Sequence, residues 1–391
     1  MIEIIVNKNE DNKLIAVIEN GKLVEVYEEN EESIKARNEG NIYLGIVKDI
    51  VPGMQSAFID IGTEKNSFIH VKDIIPQVDE KIEKRVELKI KDVVKLGQKI
   101  LVQIQKDSND KKGARTSTHI KLTGKYVILM PNTNIVTISQ KITNENEKER
   151  LLKLIKAKLP ENTGAILRTA SEGKTEKELL QDLEQLINKW KKIKTSFDKT
   201  SDIPQLLYKS PSIIEKIILD MPENKISTIE VNDQKEYEEI KNILEELNEK
   251  NIKLEVKQNL LEKYELEKQI EKSKQRKIWL NCGGFITIDS TEALVAIDVN
   301  SGKFTGKNTL EETVYKVNYE ATIEIAKQLR LRDIGGIIII DYIDMKSEEN
   351  KEKIEKLLKE TLKQDRAKTQ VEGFTKLNLM ELTRKHICSH K

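Results

Sequence analysis

FITIDSTEALVAIDVN (285–300) and GGIIIIDYIDM (335–345) are the two stretches on which the reading of this chain turns. The first divides into two apolar strands joined by a polar turn, and the second opens on a buried strand. Between them, NTLEETVYKVNYEATIEIAKQLRL (308–331) has helical spacing, and Asp333-Ile334-Gly335-Gly336 ends the helix. A helix over 348–367 and a short apolar segment over 374–382 follow. The order ββαβα predicts a mixed sheet covered by helices.

Each stretch carries an aspartate at the end of its apolar strand, Asp298 after LVAI and Asp341 after GGIIII. If the two strands are neighbours, both carboxylates project from one sheet edge, where they repel unless a cation lies between them. Mg²⁺ suits such a pair, because it takes hard oxygen ligands and is often held by one or two carboxylates plus waters and a substrate phosphate. Asn300, two residues after Asp298, can orient a carboxylate or a water, and Asp289 and Asp344 are further acids nearby. Taken singly, a strand-end aspartate more commonly caps a turn or a helix, and that reading stays open for each.

Working outward, residues 14–19 and 22–27 form a hairpin about Asn20-Gly21, a pair that tolerates positive φ at both central positions. Residues 28–39 are charged. Residues 40–120 show short apolar runs punctuated by Gly45, Pro52-Gly53 and Gly62, with a later strand at 98–105, and suggest a small barrel. Residues 121–140 are again strand-like, 144–159 are helical and are followed by Pro160, and GAILRTA (164–170) is a short buried strand. Leu179, Leu180, Leu183, Leu186, Ile187 and Trp190 recur at helical spacing within 174–195. Residues 205–222 read as a helix closing at Pro222, 226–256 as strand, helix and strand, and 258–276 as one charged helix.

The 391 residues correspond to two or three domains at about 150 residues each. Lys+Arg 67 against Asp+Glu 66 gives a net charge of +1, which excludes a uniformly basic coat or an acidic tail but not a local basic face. Two cysteines, Cys282 and Cys388, make no disulfide framework, so a reducing cytoplasm is the default and Cys282 reads as a buried thiol. The start MIEIIVNKNEDNK has no secretory pattern, and no apolar run reaches the roughly 18 residues of a membrane span. His386, Cys388 and His390 could bind a metal, but without a second cysteine pair a structural zinc is not expected.

Further candidates lie outside the aspartate region. Phe58 in SAFIDIG and Phe68 in NSFIHV could stack on unpaired bases from the face of a small barrel, or could be core residues. Lys111-Lys112 lie in a loop and could meet phosphate, although such pairs are usually only solvated. Arg168-Thr169 falls in a chain with ten arginines against 57 lysines; the planar guanidinium and the adjacent hydroxyl suit a terminal phosphate, or form a surface ion pair.

On NIYLGIVKDIVPGMQSAFIDIG, YVILMPN, ILRTA, GGFITIDSTEALVAIDVNSGKFTG, QLRLRDIGGIIIIDYIDM and QDRAK, in that order and nearly end to end, the chain resembles the ribonuclease E/G family, with the layout of its G branch. The resemblance implies an α+β multidomain fold. An RNase-H-like subdomain (1–36 and 214–276) is interrupted by an S1, OB-type barrel (37–120) and a 5′-sensor subdomain (121–213), and a DNase-I-like catalytic subdomain follows (277–391). It implies an endoribonuclease specific for single-stranded RNA, acting on rRNA precursors and mRNA in the cytoplasm, dependent on Mg²⁺ with Mn²⁺ as a substitute. Cleavage by water would leave 5′-phosphate and 3′-hydroxyl ends. The family's metal-binding aspartates match Asp298 and Asp341, and its supporting asparagine matches Asn300. Its S1 aromatics match Phe58 and Phe68 with Lys112 as the loop lysine, and its 5′-monophosphate pocket matches Arg168 and Thr169.

Lys141 and Lys368 stand where the family has arginines along the RNA path, keeping charge without the bidentate fork. The C-P-x-C zinc link is missing, so a homodimer stays open while its zinc bridge, and tetramers built on it, are in doubt, and the long scaffold of the E branch is not expected. The rival reading is a non-catalytic S1-type RNA-binding protein of the same fold; a DNA nuclease is a weaker one.

Overall fold

The computed structural model describes residues 1–75, 89–108, 111–222, 224–302 and 310–387. The chain forms two compact units, one of Met1–Glu31 with Met221–Lys391 and one of Glu32–Asp220.

The second unit holds a closed barrel. Strands Ile42–Val51, Ser56–Asp60, Ser67–His70, Arg115–Ser117 and Lys99–Lys106 pair in that order, and Lys99–Lys106 returns to Ile42–Val51. Closure removes the open edges that short strands would otherwise expose. Val47, Ala57, Ile59, Ile69, Ile100, Val102 and Ile104 fill the interior, so alternation turns Phe58 and Phe68 outward. The same unit carries a four-stranded sheet in the order Val136–Ile138, Thr163–Leu167, Val127–Pro131, Leu122–Thr123. Helices Glu145–Lys156 and Glu176–Lys199 pack on it through Leu151, Ile155, Leu179, Leu183 and Leu186. Asn144 and Thr175 cap these helices, each accepting an amide from three residues on.

In the first unit, one sheet runs Lys253–Val256, Ile226–Val231, Ile2–Lys8, Asn12–Glu19, Lys22–Asn30. Its hairpin turns at Asn20 and Gly21, both at positive φ (51° and 76°). The other sheet has six strands in the order Lys277–Trp279, Phe285–Ser290, Leu294–Asn300, Gly336–Asp341, Leu379–Arg384, Thr369–Phe374. Leu294–Asn300 and Gly336–Asp341 are parallel and the other pairs antiparallel, the mixed sheet expected from ββαβα. Val295, Ile297, Val299, Ile338 and Ile340 are buried on one face in a cluster with Val317, Ala321, Ile325, Ile354 and Leu358 from helices Leu310–Leu331 and Glu348–Leu362. The other face is left open, with Ala296, Asp298, Ile337 and Asp341 exposed.

Four local expectations change. Residues 205–222 are not one helix: Gln205–Tyr208 is a strand paired to Ile42–Val51, and the helix is Ile213–Asp220. A non-local ladder there overrides the helical reading of a short apolar run. The charged helix at 258–276 is broken into Leu260–Lys263 and Leu266–Ser273, with Glu265 at φ 46° between them. The helix from 348 stops at Leu362, and the apolar segment beyond it is a hairpin of Thr369–Phe374 and Leu379–Arg384. Cys282 is half-buried against the core, not enclosed, and its thiol is pushed up mainly by burial. Of the His386, Cys388, His390 group only His386 lies within the described residues, where its Nδ1 lies 2.8 Å from the Asp333 carbonyl.

Candidate functional site

The open face of the six-stranded sheet carries one continuous row of side chains. Lys277 pairs with Thr287, Thr287 with Asp298, Asp298 with Asp341, and Asp341 with Leu379. Asp298 and Asp341 are therefore direct neighbours across a parallel pair, about one strand spacing of 4.8 Å apart at the backbone. Both are exposed at the carboxyl ends of their strands, and Asp344 is exposed just beyond.

The acids are held in place from both sides. The Asn300 side-chain amide donates to the Asp298 carboxylate. Behind Asp341, the fully buried Asn318 of helix Leu310–Leu331 clasps the chain: its Nδ2 donates to the Ile343 carbonyl at 2.8 Å, and its Oδ1 accepts the Ile343 amide at 3.1 Å. One turn along, the Thr322 hydroxyl lies 2.9 Å from the buried Tyr342 hydroxyl. At the start of the helix, the Glu311 carboxylate accepts the amides of Lys346 and Ser347. Residues 342–347, which carry Asp344 and follow Asp341, are thus tied to one helix at three points.

Burial pushes the Asp341 carboxyl up from its ordinary range, and the charges of Asp298 and Asp344 add to the rise. Among the described residues no ion pair to these three acids is formed, and like charges gathered in this way are the chemistry of a cation site. Among the described residues no three His, Cys, Asp or Glu side chains converge closely enough to hold an ion by themselves. The donor set is two carboxylates and an amide, all hard oxygens, which fits Mg²⁺ completed by waters and phosphate and does not fit a cage for zinc.

Lys368 is not brought to this pair. It precedes strand Thr369–Phe374 and lines a pocket of about 400 Å³ with Ile337, Thr383, Arg384 and Lys385. That pocket lies at the opening end of strand Gly336–Asp341, about 13 Å along the sheet from Asp341.

In the barrel unit, Phe58 and Phe68 are cross-strand partners in register, with ring centroids 6.0 Å apart and planes at 67°. Both are half-exposed and neither joins the interior cluster. Arg115 pairs with Phe68 on the next strand and binds the Asp73 carboxylate at 2.9 Å, and exposed Lys112 lies in the loop leading to it. Arg115 was not marked by any sequence pattern; its place beside Phe68 comes from the barrel ladder.

Arg168 follows strand Thr163–Leu167 and turns its guanidinium inward. Nη1 donates to the carbonyls of Gly124 (2.7 Å), Lys125 and Leu219 (3.3 Å each), and Nη2 binds the Asp220 carboxylate. The neighbouring surface is hydroxylic: exposed Thr169 Oγ1 lies 2.8 Å from Ser139 Oγ, and the amide of exposed Lys141 donates to that same Ser139 oxygen. Asp220 and Ser139 were invisible as site residues in the sequence.

No helix among the described residues is long and apolar enough to cross a membrane. The profile of the Ribonuclease E/G family matches residues 121–387. Among curated proteins the chain is similar to Ribonuclease G of Haemophilus influenzae, 38% identical over 98% of this chain and 79% of that protein. It is similar to Ribonuclease G of Escherichia coli, 37% identical over 98% of this chain and 79% of that protein. It is also similar to Ribonuclease E of Nostoc sp., 35% identical over 95% of this chain and 56% of that protein.

Proposed function

This chain belongs to the ribonuclease E/G family and is therefore an endoribonuclease, and from that premise we propose that Asp298 and Asp341 form its catalytic pair. The observation that carries the proposal is their direct pairing on one open sheet face. The two carboxylates would hold Mg²⁺, and the substrate is single-stranded RNA. When bound, Mg²⁺ supplies Lewis-acid polarisation of a phosphoryl oxygen and neutralises charge. The protein's own groups do the rest. Asn300 fixes the Asp298 carboxylate through its amide, and the Asn318 clasp fixes the stretch from Asp341 to Asp344. Attack by water gives 5′-phosphate and 3′-hydroxyl ends.

Phe58 and Phe68 stack bases of the strand and Lys112 meets its backbone, supported by the half-exposed aromatic pair on the barrel's outer face. The 5′-monophosphate is received at Arg168 and Thr169, with Lys141 at the rim. Lys368 meets RNA at its own pocket. The natural substrates are proposed to be rRNA precursors and mRNA.

A short 5′-monophosphorylated oligoribonucleotide incubated with Mg²⁺, and in parallel with EDTA, tests this reading. Cleavage only with metal, lost in Asp298→Asn with binding retained, is the expected result. Binding without cleavage under any metal condition favours the non-catalytic RNA-binding protein instead.

A further inference from the structure

Two strands from Asp298, the same open face ends in an aromatic pair that lies outside the hydrophobic core. Trp279 and Phe285 are partners in register on strands Lys277–Trp279 and Phe285–Ser290, with centroids 5.3 Å apart and planes at 61°. Neither ring joins the hydrophobic core, and Trp279 is 59% exposed. The Lys277 ammonium lies 3.6 Å from the Phe285 ring centroid and 4.2 Å from that of Trp279.

The ladder fixes where this pair stands relative to the acids. Trp279, Phe285 and Asn300 form one row, and Lys277, Thr287, Asp298 and Asp341 form the next. The rows are two residues apart, about 7 Å along the strands, and Trp279 is about 10 Å across the sheet from the strand of Asp298. Gly302, at φ 59°, lets the chain leave Asn300 close to the indole; a Cβ there would stand 2.5 Å from the Gly283 carbonyl and 3.5 Å from the Trp279 ring. The chain is thus folded around an indole that stays open to solvent beside the carboxylate pair.

We infer that Trp279, backed by Phe285 and Lys277, is a stacking subsite for a base flanking the scissile phosphate, with Lys277 meeting the adjoining backbone phosphate. The inference rests on the proposed catalytic pair. Its occupant follows from the chemistry: an exposed aromatic face with an ammonium beside it is how sequence-tolerant single-strand binding is built. A substrate whose phosphate reaches Asp298 and Asp341 must also lie on this face.

The chain has two tryptophans, so in Trp190→Phe the indole emission reports Trp279 alone. That substitution is combined with Asp298→Asn to prevent cleavage, and the protein is titrated with a labelled single-stranded oligoribonucleotide whose anisotropy reports binding independently. Quenching that saturates with binding is expected, and an abasic nucleotide beside the cleavage position should reduce it. In the Asp298→Asn background, Trp279→Ala should weaken binding about tenfold and Trp279→Phe should restore most of it, with no change in melting temperature. An unquenched indole on saturated protein, a loss that Phe does not restore, or quenching by protein concentration alone, as when a second copy covers the face, would overturn the subsite. Wild-type cleavage is scored separately: quenching without Mg²⁺-dependent turnover removes the catalytic reading, whereas turnover without quenching removes only the subsite.

Discussion

Asp298 and Asp341 face one another across a parallel strand pair, with Asp344 close enough to raise the Asp341 carboxyl further. Without a cation this arrangement is repulsive, so neutralising one acid should relieve the fold and, if the pair is catalytic as proposed, stop the chemistry as well. In EDTA, Asp341→Asn should melt no lower than wild type. With millimolar Mg²⁺ the wild type should gain melting temperature and the variant should not, by mass action on the folded state. Turnover should fall at least about a hundredfold, since a lost ligand forfeits several kcal/mol of charge stabilisation. A variant that still gains stability from Mg²⁺ would place the ion elsewhere.

Asn318 acts on the same pair from beneath. Its side chain satisfies both the amide and the carbonyl of Ile343, between Asp341 and Asp344. Asn318→Ala leaves those groups unpaired and lets the segment drift. The cost is about 1–3 kcal/mol in stability. The Mg²⁺ concentration for half-maximal cleavage should rise about 10- to 100-fold, the usual effect of removing support behind a ligand. An unchanged metal requirement in a destabilised variant would make Asn318 purely a packing residue.

The first unit is also held by charge. Burial pushes the Glu25 carboxyl up, but Arg366 and Arg330 outweigh it and hold the group at about 2, below its ordinary 4.5. Arg366 and Arg330 bind Glu25 at 2.5 and 2.7 Å, and the Tyr27 hydroxyl donates to it at 2.8 Å. A depressed carboxyl contributes stability that is complete above pH 4.5 and is lost as pH falls toward 2. Glu25→Gln removes the buried carboxylate that Arg366 and Arg330 share, with Arg330 keeping Glu19 at 3.4 Å, and should cost about 3 kcal/mol at neutral pH. Thermal melting from pH 7 to pH 3 checks it: the wild-type midpoint should fall faster than that of the variant on the acid limb.

What the sequence disclosed and what it withheld divides along the range of the interactions. Strands at 285–300 and 335–341 are local patterns of apolar residues, and the Asn20-Gly21 turn is a local torsional demand, so both were legible. The register that puts Asp298 opposite Asp341 joins strands separated by a 22-residue helix, and no local pattern encodes it. Gln205–Tyr208 was misread for the same reason, since its partner strand begins at Ile42. Arg168 was visible as a rare arginine, but its bond to Asp220, 52 residues on, was not.

Phe58 and Phe68 stand half-exposed on the outer barrel face while Ala57, Ile59 and Ile69 fill the interior. Phe58→Ala should therefore weaken oligoribonucleotide binding by about 1–3 kcal/mol and shift the melting temperature little. A large drop in melting temperature with unchanged affinity would return these rings to the core.

Arg168 carries the last prediction, because its guanidinium is already bound to Asp220 and three carbonyls. A 5′-phosphate reaching it must share the cation with Asp220, so the carboxylate should weaken end recognition. Asp220→Asn removes the competing charge and leaves the carbonyl contacts, and it should raise the preference for 5′-monophosphorylated over 5′-hydroxylated substrate. Arg168→Gln should abolish that preference and also destabilise the unit by about 1–3 kcal/mol, because it leaves buried carbonyls without a donor. The paired variants separate the two roles: if Arg168 only braces the fold, both lower stability and neither changes the ratio of kcat/KM for the two 5′ ends.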